Sequence, residues 1–324
     1  MSEQFFFTGG YTENMGGVAE GIGLARTRQD GSLEFLGTAV ETSSPSFLVE
    51  GSGGVIYATD EGNGRVDAFR RGDGTTLIPL GGRDSSGQYP CHVSVTAGHL
   101  YVSNYGDGSI DVFLRESDGS LGELVQSLQG AGSGPREDQD GPHAHATLVV
   151  GDTVLSADLG SDQLHVHSVV DDGLVRTGSG SLPAGTGPRD LLHADRLYVL
   201  SELDNAILAV DENGAITAGG TTVAEWSDGD HAAALAILDG FIYTGLRGSN
   251  RLAIVRADDL SPVAAIPTRG DWPRHLVVQK NVLHVANQRS STVTSFRIEA
   301  GTGMPVPLGE PEHVPSPTYL LPIG

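Results

Sequence analysis

A pair of short strands recurs seven times along this chain, and no other feature limits its fold so tightly. In each copy a short strand, often opened by proline and a polar residue, is followed by an apolar strand that ends in small or polar residues. Anchored on one position of the first strand, the copies fall at Phe47, His92, His145, Asp190, Ala234, His275 and Tyr319, in steps of 45, 53, 45, 44, 41 and 44 residues. A period near 45 residues with strand patterning throughout is the signature of β-propeller blades, each one a small antiparallel sheet packed on its neighbours. The expected fold is therefore all-β, a seven-bladed β-propeller of four-stranded antiparallel blades. Because the repeat runs end to end, residues 1–324 are expected to form a single propeller domain.

The second strands read VIYATD from Val55, LYVSNYG from Leu100, VLSADLG from Val154, LYVLSEL from Leu197, FIYTGLR from Phe241 and LHVANQR from Leu283. Third strands follow after turn formers such as Gly106-Asp107-Gly108 and Asp204-Asn205. The 46 glycines among 324 residues belong with these turns, since hairpin corners require positive φ angles. The seventh first strand, from Pro317, stands at the C-terminus, while FFFTGGY and GIGLAR at the N-terminus lack one. Joining the two ends in one blade closes the ring and leaves no open sheet edge there. The longest irregular stretch, residues 130–142, is polar and glycine-rich and leads into the third complete blade.

A formal charge of -22 argues against a nucleic-acid partner, which needs clustered Lys and Arg. A small anion remains possible wherever a local group of arginines outweighs the overall field. Cys91 is the only cysteine, so no intrachain disulfide forms. The N-terminal MSEQFFFTGGY has no basic segment and only three consecutive apolar residues, and no apolar run approaches a membrane span. The expectation is a cytoplasmic protein without membrane attachment.

In a propeller the first strand of each blade is innermost and the second runs antiparallel to it. The start of strand one and the end of strand two therefore share a rim. His92, His145, Arg189, Arg274 and His275 stand at first-strand starts; Asp60, Asn104, Asp158, Glu202, Arg247 and Gln288 stand at second-strand ends. Three arginines at one mouth suit a carboxylate or phosphate through bidentate hydrogen bonds, although each could equally pair with a neighbouring Asp. Glu202 is a candidate general base or the partner of a rim arginine, and His145 and His92 are candidate proton carriers or structural histidines. His143 precedes the strand and is the weaker candidate. Asp138-x-Asp140-Gly141 lacks the remaining ligands of a calcium loop, Gly62-x-Gly64 lies in a hairpin, and no G-x-S-x-G elbow occurs. No metal or other cofactor is expected.

The segments GPHAH, DLGSDQL, GPRDL, LYVLSELDNAI, WPRHLVV and VANQRSSTVTSF together resemble the lactonase family of seven-bladed propellers, which includes bacterial propeller-type 6-phosphogluconolactonases and fungal carboxymuconate-lactonizing enzymes. The resemblance covers nearly the whole chain. It implies a site of His145, Arg189, Glu202, Arg247 and Arg274 with Gln288 nearby. Asp190 stands where many members have His. Read this way, Glu202, His145 and Arg274 are the catalytic candidates and Arg189, Arg247, His92 and Gln288 the substrate-binding ones. The substrate would be a small anionic lactone or carboxylate. Hydrolysis of a sugar lactone such as 6-phosphogluconolactone is the first expectation, lactone formation on an unsaturated dicarboxylate the second, and a non-catalytic binding scaffold the third.

Overall fold

The structure, a computed structural model, describes residues 3–224, 226–227 and 229–324. Its strands form seven four-stranded antiparallel sheets, the number the sequence period predicts. One sheet combines Pro317–Ile323 with Phe5–Gly10, Gly21–Thr27 and Leu33–Glu41, so the two chain ends share a blade. The other six follow in order over residues 45–84, 90–128, 144–181, 188–221, 231–267 and 273–313.

Contacts divide the chain into two compact units. One comprises Met1–Ser46, Asn205–Ile207 and Ala218–Gly324; the other comprises Phe47–Asp204 and Leu208–Thr217. In each unit the apolar core lies between adjacent sheets. In the second unit Tyr57, Val66 and Ala68 of one sheet pack with Val93, Leu100 and Phe113 of the next, and Leu155, Leu164 and Val166 pack with Leu197, Val199 and Val210. In the first, Tyr243, Leu252 and Ile254 meet Leu276, Leu283 and Phe296. Tyr57 and Tyr243 occupy one repeat position, and their hydroxyls donate to Gly119 O at 2.7 Å and Gly303 O at 2.9 Å, each in an outer turn of the next sheet. Gly303 sits at φ 68°, and a Cβ there would come within 2.4 Å of the Phe241 ring, so both the turn and the contact require glycine.

Each first strand of known register carries a β-bulge, which revises the phase of the repeat. Pro90 pairs with Asn104 and His92 with Ser103, leaving Cys91 in the bulge. The bulge residue is His145 between Ala144 and Ala146, Arg189 between Pro188 and Asp190, and Arg274 between Pro273 and His275. His145 is therefore the counterpart of Cys91, Arg189 and Arg274, not of His92. The ladder position occupied by His92 and His275 corresponds to Ala146 and Asp190. Asp190 thus stands at a paired position, beside the bulge and outside it.

His92 and His275 do the same structural work. Thr147 N–H donates to Nδ1 of His92 at 3.3 Å, and Leu320 N–H donates to Nδ1 of His275 at 3.2 Å. Each ring also lies against an aromatic side chain of a neighbouring first strand, Phe47 for His92 and Tyr319 for His275. Both keep some exposed edge, yet burial pushes each imidazole down to about 3. The fully buried His284 is pushed to the same value by burial alone. His167, also fully buried, is pushed there by burial first and then by Arg176 and His165.

These four rings are neutral in the fold but titrate near 6.5 in the unfolded chain, which therefore binds more protons between those values. Their contribution to stability is complete above about pH 6.5 and drains away as the pH falls toward about 3. The urea midpoint should decline across that window. His92→Asn, which keeps an acceptor where Nδ1 stood but cannot titrate there, should make the decline shallower. An equally steep decline in the variant would remove His92 from this account.

Candidate active site

A left-handed peptide ahead of proline sets the geometry at the start of the first strands. Ser44, Tyr89, Gly187, Trp272 and Ser316 each precede a proline, and all have positive φ, from 33° to 67°. That conformation is costly for a residue with a side chain, and a following proline disfavours it further. It is held by hydrogen bonds from two sides. The carbonyls of Tyr89, Gly187, Trp272 and Ser316 accept the N–H groups of Tyr105, Glu202, Gln288 and Tyr11 at 2.8–3.2 Å. The N–H groups of Gly187, Trp272 and Ser316 donate to the side chains of Asp162, Asn250 and Ser291 at 2.7–3.2 Å. Those three acceptors are themselves left-handed corner residues of the preceding sheet's inner hairpin, a conformation that Asp and Asn tolerate better than most side chains.

This arrangement defines the outgoing position of strand two as Tyr11, Glu61, Tyr105, Leu159, Glu202, Arg247 and Gln288. Asp60, Asn104 and Asp158, grouped with Glu202 on sequence spacing, lie one residue earlier, and a one-residue slip moves a side chain to the other face. Tyr105 is the functional candidate that the slip concealed.

In the unit holding residues 47–204, the structure brings His145, Arg189 and Glu202 together with Tyr105 and His143. Arg189 and Glu202, both largely buried, form an ion pair through Nη1 and Oε2. The Tyr105 ring stacks on His143 with centroids 4.5 Å apart and meets His145 edge-on at 5.9 Å. Burial above all, then the charges of Glu202 and Asp138, push the Tyr105 phenol up to about 12, against a smaller opposing pull from Arg189. The phenol therefore stays protonated at neutral pH and is a hydrogen-bond donor in the electrostatic field of Glu202. His143, ranked below His145 on sequence, is tied down by the Tyr105 carbonyl at Nδ1, 2.6 Å, and by Asp140 at Nε2, 3.1 Å. Cys91 is buried, with its thiol against the carbonyls of Ser103, Ala144 and His145 at 3.6–3.8 Å. His92, in its ladder position, stands apart from this group.

The stretch 130–142 braces the same group. It contains a short 3-10 turn, Glu137–Gln139. Gln139 is fully buried, and its Nε2 donates to Leu159 O and Asp162 Oδ1, each at 2.8 Å. The Asp162 carboxylate also accepts the N–H groups of Gly185 and Gly187, both at 2.7 Å. Arg136 Nε closes the network on Gly185 O at 2.8 Å. Since Gly187 O accepts Glu202 N–H and Arg189 follows two residues later, Asp162 fixes the backbone from which both members of the ion pair project.

In the other unit, Arg274 Nη2 donates to the Tyr11 hydroxyl at 2.6 Å and its guanidinium lies 4.8 Å from the Tyr11 ring centroid. The Arg247 guanidinium lies 5.5 Å from the Trp272 ring centroid, and that of Arg289 lies 3.4 Å from it. Gln288 N–H donates to Trp272 O. Among the described residues no group of three or more His, Cys, Asp or Glu side chains is arranged to hold a metal ion.

Residues 5–322 match the family model described as Lactonase, 7-bladed beta-propeller. The chain belongs to the lactonase family of seven-bladed β-propellers. A 6-phosphogluconolactonase of Bacillus subtilis strain 168 is 28% identical, with 98% of this chain and 97% of that protein covered. Among solved structures, a protein from Lactobacillus plantarum superposes with a TM-score of 0.91 at 27% identity, covering 99% of this chain and all of the other. The periplasmic gluconolactonase PpgL of Pseudomonas aeruginosa gives 0.88 at 25% identity over 100% and 99% of the two chains. Membership of this lactonase family, together with relatives so named, supports a hydrolase. No helix among the described residues is long and apolar enough to cross a membrane.

Removing the Asp162 carboxylate should expose how much this lactonase-family scaffold depends on it. Asp162→Ala leaves the buried Gly185 and Gly187 N–H groups without their acceptor, at a cost of about 1–3 kcal/mol each. Asp162→Asn, which reproduces the residue found at Asn250, keeps one acceptor and should be intermediate. Urea denaturation at neutral pH gives the order, and equal stability of Asp162→Ala and the wild type would show that water replaces the carboxylate.

Proposed function

We propose that this protein is a cytoplasmic lactonase that opens a phosphorylated sugar lactone, 6-phosphogluconolactone, to the corresponding acid. The observation that carries the reading is the Arg189–Glu202 pair beside a phenol held protonated. A carboxylate anchored by a guanidinium can take a proton from water, and a buried O–H donor can stabilise the oxyanion that forms. Water attacks the lactone carbonyl carbon while Glu202 accepts its proton, and Tyr105 donates to the carbonyl oxygen as negative charge develops there. The tetrahedral intermediate then collapses with cleavage of the ring C–O bond. His145 supplies a proton to the departing alkoxide and is reprotonated by the proton that Glu202 took up, and the proton of the acid product is lost to solvent as it ionises.

In this reading Arg189 orients the base through their ion pair. Arg247 and Arg274 lie in the other unit, each against an aromatic ring, and carry no step of this reaction. His92 is assigned to the fold. The B. subtilis relative named 6-phosphogluconolactonase supports the substrate. A lone, buried, reduced cysteine suits the cytoplasm, although the P. aeruginosa relative is periplasmic.

Purified protein should accelerate opening of 6-phosphogluconolactone above its spontaneous hydrolysis, as followed by acid release; no acceleration would overturn the substrate assignment. Glu202→Gln should lower kcat by about 100-fold or more with an unchanged fold by circular dichroism. Tyr105→Phe, which retains the stack on His143, should lower kcat by a similar factor with little change in KM, as expected for a donor engaged only in the transition state. Wild-type turnover in either variant would remove that residue from the mechanism.

A further inference from the structure

We infer that Arg289, stacked on Trp272, is the residue by which this protein selects a phosphorylated polyol over its unphosphorylated counterpart. The inference rests on the lactonase reading for its choice of ligand, but on independent observations for the site. Arg289 is exposed and its guanidinium lies 3.4 Å from the Trp272 ring centroid, within stacking distance. Its backbone N–H donates to Asp271 O at 3.1 Å. Among the described residues, however, its guanidinium makes no hydrogen bond and no ion pair. In a chain with 41 acidic residues against 19 basic ones, Arg289 is held by an aromatic face without an acidic partner. The family resemblance assigned it no part.

Stacking leaves the in-plane N–H groups of a guanidinium directed away from the ring, where they can form a bidentate pair with a phosphate or carboxylate. The aromatic face restricts the side chain in advance and so reduces the rotamer entropy lost on binding. Trp272 is itself immobilised: it has φ 67°, its N–H donates to Asn250 Oδ1 at 2.8 Å, and its carbonyl accepts Gln288 N–H at 3.0 Å. Arg247 lies against the same ring, adding positive potential.

The adjoining residue supplies the second half of the recognition. Gln288 Oε1 is buried and has no hydrogen-bond donor among the described residues. A buried acceptor without a donor is costly, and a hydroxyl of a bound ligand relieves that cost. An unpaired cation and an unfilled acceptor on consecutive residues, both secured to Trp272, describe a receptor for a molecule carrying hydroxyls and a compact anion. A sugar phosphate or a phosphorylated aldonic acid has this chemistry.

The test uses equilibrium binding of the stable acid product, so it does not depend on turnover. Calorimetry would compare 6-phosphogluconate with gluconate on the full-length protein and on Arg289→Gln and Arg289→Lys. The wild type should bind the phosphorylated acid at least about tenfold more tightly, equivalent to about 1.4 kcal/mol. Arg289→Gln should abolish that preference while leaving gluconate affinity unchanged. Arg289→Lys, which keeps the charge but loses the planar stacked fork, should retain only part of it. Gln288→Leu should weaken both ligands. The inference is overturned if the wild type shows no preference, or if the preference survives in Arg289→Gln. Because Arg289 is exposed, its variants should fold. Lactone opening by the wild type, measured separately, decides the lactonase reading: a protein that opens the lactone but keeps its phosphate preference in Arg289→Gln retains the function and loses this inference alone.

Discussion

The first strands of this protein that open with proline depend on a peptide bond that the chain would not adopt unaided. A left-handed residue directly before proline is disfavoured twice, once by its own Cβ and once by the proline ring. It persists at Tyr89, Trp272 and Ser316 because strand two of the same sheet donates to its carbonyl. At Trp272 and Ser316, as at Gly187, a corner residue of the preceding sheet also accepts its N–H. The kinked start leads into the bulge, and the bulge releases one side chain from the ladder. Arg189 and Arg274 are such side chains; His145 also occupies a bulge, but no left-handed residue before proline precedes its strand. Ahead of Arg189 and Arg274, the hydrogen bonds that hold the kinked strand start thus also place a candidate site residue.

The number of sheets and the blade shared by the two chain ends were legible in the sequence because they follow from spacing and apolar patterning, which tolerate an error of one residue. The site was less legible because it does not. His145 shares its bulge position with Arg189, yet spacing alone aligned it with His92, since a bulge adds a residue without disturbing the apolar pattern on either side. The same slip hid Tyr105 behind Asn104. Asp162 and Gln139 escaped notice for a different reason: their partners are main-chain N–H and C=O groups 20 to 25 residues away, and backbone partners leave no trace in residue type. The sequence signal that existed was the shared Gly-Ser-Asp and Gly-Ser-Asn at the corners ending in Asp162 and Asn250, where a polar residue takes the place of glycine in a left-handed turn.

Charge is distributed so that a strongly acidic chain still offers cationic groups. Arg189 is committed to Glu202, whereas Arg247, Arg274 and Arg289 lie against aromatic rings. An aromatic face attracts a guanidinium without neutralising it. An acidic partner would hold the side chain equally well but would cancel the charge that an anionic ligand needs. At Arg289 the Trp272 ring therefore fixes the side chain without cancelling its charge.

A carboxylate holds the backbone ahead of Arg189, where Asn250 and Ser291 serve elsewhere. Asn250 and Ser291 each take one N–H, from Trp272 and Ser316. Asp162 takes two, from Gly185 and Gly187, and a third donor from Gln139, with both of its oxygens accepting. The extra donors reach it because the stretch 130–142 folds inward. That stretch also carries Asp138, whose charge bears on Tyr105, and Asp140, which takes His143. One loop thus braces the ion pair on one side and the histidine–tyrosine stack on the other. The candidate site residues that it reaches come from three different sheets.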